Sequence, residues 1–390
     1  MALLFHYGLR SLWVRRTTTW AALAGTALTA FVFAASFMLA AGLRNTALDA
    51  GDADRALVLQ TDAFSEGDSR FRQAETGIVA AAPGVRRDSA GPLVSPEAIV
   101  HVSLPSSRDS RRMTSIQVRG VTEAAYRLRP ELVLVAGRLP TAGTDEAAVG
   151  LRVRGRYPGL ELGSGFELQK NQRVNVVGVF AARDSALESE VWADIDRVRS
   201  AFGFQGFVSS VTARLVSERD FDAFAAALAL NKTQGLTAER ERAYYQKVSN
   251  NLTRVIAFIG GLISSIFALG AALGCAIAMY GSLSQRRSEI GVLRALGFSR
   301  SQILWSLLAE AIALALAGGA LGIACALGLS LVKISVVNWA TGQELIFGFT
   351  PEPAVVLAAL ASGAVVGSIG GLFPAISAAR LAPARAIRAG

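Results

Sequence analysis

The sequence predicts a membrane α-helical fold: four transmembrane helices, with a large mixed α/β extracytoplasmic domain between helices 1 and 2. Three observations carry the prediction. First, the chain of 390 residues is 52% hydrophobic, yet its apolar residues are bunched into four runs, at 20–43, 255–280, 303–332 and 354–376. Each run meets or exceeds the roughly 20 residues that an α-helix needs to cross about 30 Å of hydrocarbon. Second, Arg side chains collect in three segments: Arg10, Arg15 and Arg16; Arg286, Arg287, Arg294 and Arg300 against Glu289; and Arg380, Arg385 and Arg388. Their balance equals the whole formal charge of +9, so the rest of the chain is neutral. Because positively charged flanks stay cytoplasmic, both termini and the 282–301 loop are expected inside. Third, residues 44–250 fall outside by that rule, too long for a connection and long enough for a domain with its own core.

In chain order, residues 1–19 mix Leu, Phe, Tyr and Trp with Arg, the pattern of a cytoplasmic amphipathic helix lying in the membrane interface. Transmembrane helix 1 follows at 20–43. That run is far longer than the about 7–15 residues of a signal-peptide core, so a cleaved secretory signal is not expected. In the external domain at 44–250, strands are expected at 56–60 and 98–104, and a helix at 70–82 ended by Pro83-Gly84. Further on, 207–216 reads as a strand and 218–230 as a helix. Between them 115–121, 146–149 and 173–180 are β-rich, with turn signals at Gly137, Pro158-Gly159 and Gly163-Ser164-Gly165. The expected domain is an α/β lobe built from both ends of the segment with a β-rich lobe inserted in the middle. Residues 238–252 lack Pro and Gly and read as one helix running into transmembrane helix 2 at 251–281. Helix 1 is expected to continue outward through Ala47 in the same way. A cytoplasmic coupling loop at 282–301, transmembrane helix 3 at 302–332 and a short periplasmic connection at 333–353 come next. Transmembrane helix 4 at 354–378 and a cytoplasmic tail at 379–390 complete the plan.

Composition and motifs exclude several functions. The basic balance is accounted for by membrane topology, so nucleic acid is not an expected partner. No Gly-rich phosphate loop ending in Lys-Ser/Thr, no Gly-x-Ser-x-Gly, no His-Glu-x-x-His and no Cys-x-x-Cys occurs. Cys275 and Cys325 both fall inside apolar runs, and His6 and His101 fall on opposite sides of the membrane, so neither a disulfide framework nor a metal site is expected. No set of residues supplies a nucleophile, a base and an orienting group together, so the chain does not read as an enzyme.

The loop at 282–301 is the most informative segment. Ile290, Leu293, Leu296 and Phe298 lie partly at helical spacing among its Arg residues, which describes a small amphipathic helix able to dock on something cytosolic. Glu310 is the one charge inside an apolar run, where a charge costs up to about 2.5–3.5 kcal/mol at the bilayer centre. It is expected to pair with another group or to reach nearby water. Small residues recur every four positions at Gly270 and Gly274, Gly318 and Gly322, and Gly363, Gly367 and Gly371, a spacing that lets helices approach closely within one chain or between two. Pro374 removes one backbone donor near the end of the fourth run.

The segment Arg287-Ser-Glu289-Ile290-Gly291-Val-Leu-Arg294-Ala295-Leu-Gly297, followed by Ile303 and Glu310, resembles the coupling-loop signature of MacB/FtsX-type (type VII) ABC transporter permease subunits. The tail from Gly371-Leu-Phe-Pro374-Ala375 through Arg380, Pro383 and Ile387-Arg388 resembles the ending of the same family. The likeness is to members without a fused ATPase domain, DevC-like, with the four-span topology of LolC and LolE. It implies a permease subunit of a bacterial ABC exporter in the inner membrane, transmitting the motion of a separate ATPase to the periplasmic domain by mechanotransmission. ATP and Mg would then be bound by two copies of the ATPase and not by this chain. Further implied partners are a second permease copy, the lipid bilayer, and a periplasmic membrane-fusion adaptor with an outer-membrane channel. An FtsX-like regulator that activates a periplasmic cell-wall hydrolase is the alternative. The resemblance assigns coupling to Arg287, Glu289, Ile290, Gly291, Arg294, Ala295 and Gly297, while position and spacing within the spans assign gating or packing to Glu310, Gly270, Gly274, Gly318, Gly322, Gly367 and Pro374.

Overall fold

The computed structural model describes residues 16–107, 111, 113–230, 235–337 and 344–380. The amphipathic helix expected at 1–19 and the tail from 381 onward therefore lie outside the described residues, apart from the first turn of the helix that begins at Arg16. The chain divides into two compact units. A membrane unit takes the chain up to Gly42, Thr253–Val332 and the chain from Gly348; an external unit takes Leu43–Leu252 and Lys333–Phe347.

Among the described residues, four helices are long and apolar enough to cross a bilayer. The first, α1 (Arg16–Leu48), runs unbroken past the end of the apolar run into the external unit. The external unit then continues with β1 (Arg55–Gln60), β2 (Phe71–Arg72) and α2 (Thr76–Ala81). A small pair, β3 (Arg87–Asp88) and β4 (Gly91–Pro92), leads into the two long strands β5 (Val94–Pro105) and β6 (Met113–Val121). Next come α3 (Glu123–Leu128), β7 (Val133–Gly137), β8 (Glu146–Gly150), β9 (Gly165–Gln169), β10 (Gln172–Ala181) and β11 (Glu190–Asp194). The segment closes with α4 (Ile195–Phe202), β12 (Phe207–Val208), β13 (Ser210–Arg214), α5 (Phe221–Leu230) and β14 (Leu236–Arg240).

Helix α6 (Glu241–Gln285) then runs 45 residues back into the membrane unit. A short helix, α7 (Arg287–Ala295), precedes α8 (Arg300–Gly328). Helix α8 starts at a capping box, in which Ser299 N donates to Gln302 Oε1 at 2.8 Å and Gln302 N donates to Ser299 Oγ at 3.2 Å. The hairpin strands β15 (Lys333–Val337) and β16 (Glu344–Gly348) follow, and α9 (Pro353–Ala379) opens with Pro at its first position, where no intrahelical donor is needed.

The external sheet has the order β14-β1-β13-β5-β6-β11-β8-β10-β7, with β9 added to β10. The two lobes expected from the sequence are two halves of this one sheet, joined because β5 is long enough to pair twice. Its start, Val94–Glu97, pairs with β13, and the stretch from Ala98 to Pro105 pairs with β6. Alternation along β5 and β6 buries Ala98, Val100, Val102, Ile116 and Val118 in one apolar core.

Three local expectations are corrected, and one connection contains an element not expected from the sequence. The helix expected at 70–82 is a strand, Phe71–Arg72, a 3₁₀ turn and a six-residue helix, because Phe71 and Arg72 are taken up by pairing with Phe207 and Val208. The strand expected at 207–216 is broken at Ser209, whose Oγ accepts from Ile99 N at 3.0 Å. Residues 238–240 are not helical, since β14 pairs with β1, and the helix starts only at Glu241. The connection at 333–353 contains the β15-β16 hairpin, which belongs to the external unit through Phe347.

Candidate coupling site

Helix α7 is held on one side and free on the other. Ile290 and Gly291 are buried. Ile290 packs in a cluster with Met279 and Leu283 of α6, Ile303 and Leu307 of α8, and Ala375 and Ala378 of α9. Through that cluster the loop packs together with residues of three spans. Phe298 packs against the same cluster, whereas Leu296, expected on this apolar face, is 71% exposed. Both residues lie beyond the end of α7, where the chain turns at Gly297, and Leu296 is exposed along with Arg287, Glu289, Val292 and Ala295.

The end of α7 is fixed by backbone geometry. Gly297 takes φ +96°, in the left-handed region that a side chain resists, and its N–H donates to Arg294 O at 3.2 Å. Arg294 Nη1 donates to Phe298 O at 3.1 Å, placing a cation at the negative end of the helix. At the other end, Arg286 Nη1 donates to Glu310 Oε2 at 3.2 Å and Arg286 Nε to Glu289 Oε2 at 3.3 Å. Glu310 is therefore paired, to a residue one step before α7.

The glycines of the spans divide into two groups. A Cβ at Gly318 would lie 2.0 Å from Thr26 Oγ1, and one at Gly322 would lie 2.1 Å from Ala27 O, so α8 packs backbone to backbone on α1. At Gly367 a Cβ would meet Ala315 Cβ at 2.6 Å, which fixes α9 against α8. Pro374, inside α9, is buried. Gly270 and Gly274 meet nothing within 4 Å among the described residues, so their face of α6 is open.

Residues 19–230 match the family described as MacB-like periplasmic core domain, and residues 261–383 match FtsX-like permease C-terminal. The chain belongs to the MacB/FtsX permease family. "Uncharacterized ABC transporter permease YknZ" of Bacillus subtilis (strain 168) is 28% identical over 56% of this chain and 54% of its own length. "Macrolide export ATP-binding/permease protein MacB" of Escherichia coli (strain K12) is 29% identical over 56% of this chain and 34% of its own. The match thus spans about half of YknZ and about a third of that MacB. The crystal structure of the periplasmic region of MacB from Actinobacillus actinomycetemcomitans aligns with 50% of this chain and 93% of that one, at 14% identity and a TM-score of 0.38.

The external unit of this MacB/FtsX-type chain holds a feature that sequence reasoning did not find. Arg119, wholly buried in β6, meets Glu97 at 2.5 Å, Glu190 at 2.7 Å and Glu66 at 2.8 Å. Arg129 meets Glu97 at 2.8 Å and Glu241 at 3.4 Å, while Arg55 meets Glu241 at 2.5 Å and Glu131 at 2.6 Å. Burial alone would raise the Glu97 carboxyl, but Arg129 and Arg119 bring it down to about 2. The same carboxylates hold the Arg119 and Arg129 guanidinium groups above their ordinary range despite burial. Glu241 is the first residue of α6, so the network ties the start of that helix to the sheet. The available signal was a charged residue within a strand, as at Glu97, Arg119 and Glu190.

A second joint lies at Arg152. Its guanidinium donates to Ile346 O of β16, to Asp184 O at 2.5 Å and to Thr46 Oγ1 of α1 at 3.3 Å. Asp184 and Arg183 both have positive φ, a strained pair held in place because Glu188 accepts from Ala182 N and Asp184 N at 2.7 and 2.9 Å.

Proposed function

We propose that the chain is the transmembrane subunit of a bacterial ABC exporter, converting ATP-driven motion of a partner ATPase into motion of its external domain. The observation that carries this reading is the cluster that joins Ile290 of α7 to residues of α6, α8 and α9, with Arg287, Glu289, Val292, Ala295 and the following Leu296 left exposed. A push on those exposed residues is delivered to three spans at once, because close-packed side chains transmit displacement instead of absorbing it. Helices α1 and α6 continue unbroken into the external unit, where Glu241 and Thr46 are bonded to the sheet and to Arg152. In this reading α7 lies in the cytoplasm of an inner-membrane protein with both termini inside. Two ATPase copies bind ATP and Mg beneath a pair of permease copies, and an external adaptor with an outer-membrane channel completes the path.

The names of the relatives favour export, since MacB is described as a macrolide export protein. The test is reconstitution of the chain with its ATPase in nanodiscs. Arg294→Glu is expected to abolish ATPase stimulation by the permease while leaving the fold intact. Unchanged stimulation in that variant would refute the coupling role.

A further inference from the structure

Strands β6 and β11 are neighbours and run parallel, with Arg119 opposite Trp192 and Gly120 opposite Ala193. Each is followed at once by a helix, and the two helices go to opposite faces of the sheet. A Cβ on Gly120 would meet Ile195 and Val198 of α4, so α4 covers the face of Gly120 and Ala193. Trp192, one residue before Ala193, points the other way and packs at a tilt against Tyr126 of α3, with ring centroids 5.4 Å apart. Adjacent parallel strands whose connections diverge leave a crevice outside their carboxyl ends, the position where open α/β sheets hold ligands. A cavity of about 370 Å³ lies there, closed on its third side by the loop after β7. Its size falls within the about 300–1,000 Å³ of small-molecule pockets.

The lining sets the ligand class. Leu139, Ala142 and the Tyr126 ring supply apolar surface, and Glu123 and Asp194 supply two carboxylates. Neither carboxylate forms an ion pair with a described residue: the nearby cations Arg138 and Arg197 are taken by Glu146 and Asp145. Among the described residues, Asp194 Oδ1 and Oδ2 accept only backbone N–H groups, from Asp196, Arg197 and Gly143. The hydroxyls of Thr122 and Tyr126 are buried without a hydrogen-bond partner among the described residues. Burial and the Asp194 charge hold the Tyr126 phenol above its ordinary range, so it stays a neutral donor and acceptor. An anion would meet two like charges, and a neutral apolar molecule would leave both carboxylates without a counter-charge.

We infer that this crevice binds a small organic cation, an ammonium group on an apolar body, with the ammonium toward Glu123 and Asp194 and the apolar part against Leu139, Ala142 and Tyr126. The assignment does not depend on mechanical transmission and is tested without the ATPase. Equilibrium dialysis of the full chain in nanodiscs against phenethylammonium, corrected with empty nanodiscs, is expected to show one saturable site. The anionic counterpart phenylacetate is expected to show none. Glu123→Gln should weaken binding about tenfold, the scale of one lost charge-assisted hydrogen bond. Ala142→Trp, a change at an exposed position, should abolish it by filling the crevice. No saturable binding, equal binding of phenylacetate, or undiminished binding in Ala142→Trp would each overturn the site. Saturation by a lysine-containing dipeptide amide but not by phenethylammonium would overturn the small-molecule assignment in favour of a protein partner.

Discussion

Arg286 and Glu310 form an ion pair at 3.2 Å, with side chains only 13% and 11% exposed, between the residue that precedes α7 and the interior of α8. The pair satisfies the one charge in the third apolar run and pins the start of α7 to a span. Removing one partner takes a counter-charge from the other in a poorly solvated site, whereas exchanging both preserves the attraction.

Glu310→Ala is therefore expected to lower the thermal stability of the full chain and to reduce ATPase stimulation in the reconstituted complex. Glu310→Gln should do less, because an amide still accepts from Arg286. The double exchange Arg286→Glu with Glu310→Arg should recover part of the stimulation. Full stimulation in Glu310→Ala would remove the pair from the transmission path.

Gly297→Val should uncouple without unfolding. The left-handed φ of +96° costs a side chain roughly 1–2 kcal/mol, enough to shift the exit of α7, while a Cβ there meets no neighbour. The expected signature is normal membrane insertion and unfolding temperature with ATPase stimulation lost. A Gly297→Asn variant, which tolerates the left-handed region better, should retain more activity.

The two groups of span glycines should respond oppositely. Gly322→Leu drives a side chain into the α1 backbone and is expected to destabilise the single chain, read by heating in detergent followed by size exclusion. Gly270→Leu and Gly274→Leu face open space and should leave that midpoint unchanged. Equal destabilisation by all three would contradict the packing described for α6.

The Glu97 network predicts an acid limit for the external unit. Its carboxyl is depressed in the fold, so its contribution is full above the unfolded value of about 4.5 and is lost as pH falls toward about 2. Unfolding temperature should drop across that window, and the slope should flatten in Glu97→Gln. That variant should also cost about 3–5 kcal/mol at neutral pH, because it leaves Arg119 and Arg129 short of a counter-charge.

How much was legible in the sequence follows from the range of each interaction. The four spans could be read because burial in hydrocarbon demands a continuous run of apolar residues, and Arg10, Arg286 and Arg380 marked the loops for the same local reason. Helix α7 was visible as a charged amphipathic segment, and its family likeness lay in contiguous residues from Arg287 to Gly297. The outward turn of Leu296 was not visible, because it depends on where Phe298 and Ile303 place the end of the helix.

By itself the sequence determined the class of fold, the number of spans and the position of the loop helix, all set by neighbours along the chain. Only the tertiary structure decided that Glu310 pairs with Arg286, that β5 fuses two lobes into one sheet, and that Arg55, Arg119 and Arg129 share five buried carboxylates. Those partners stand far apart in the chain, as Arg55 and Glu241 do, and a charge inside a strand carries no mark of which distant charge will neutralise it. Register and the crossing of helices choose the partner, and both are settled only when the whole core closes.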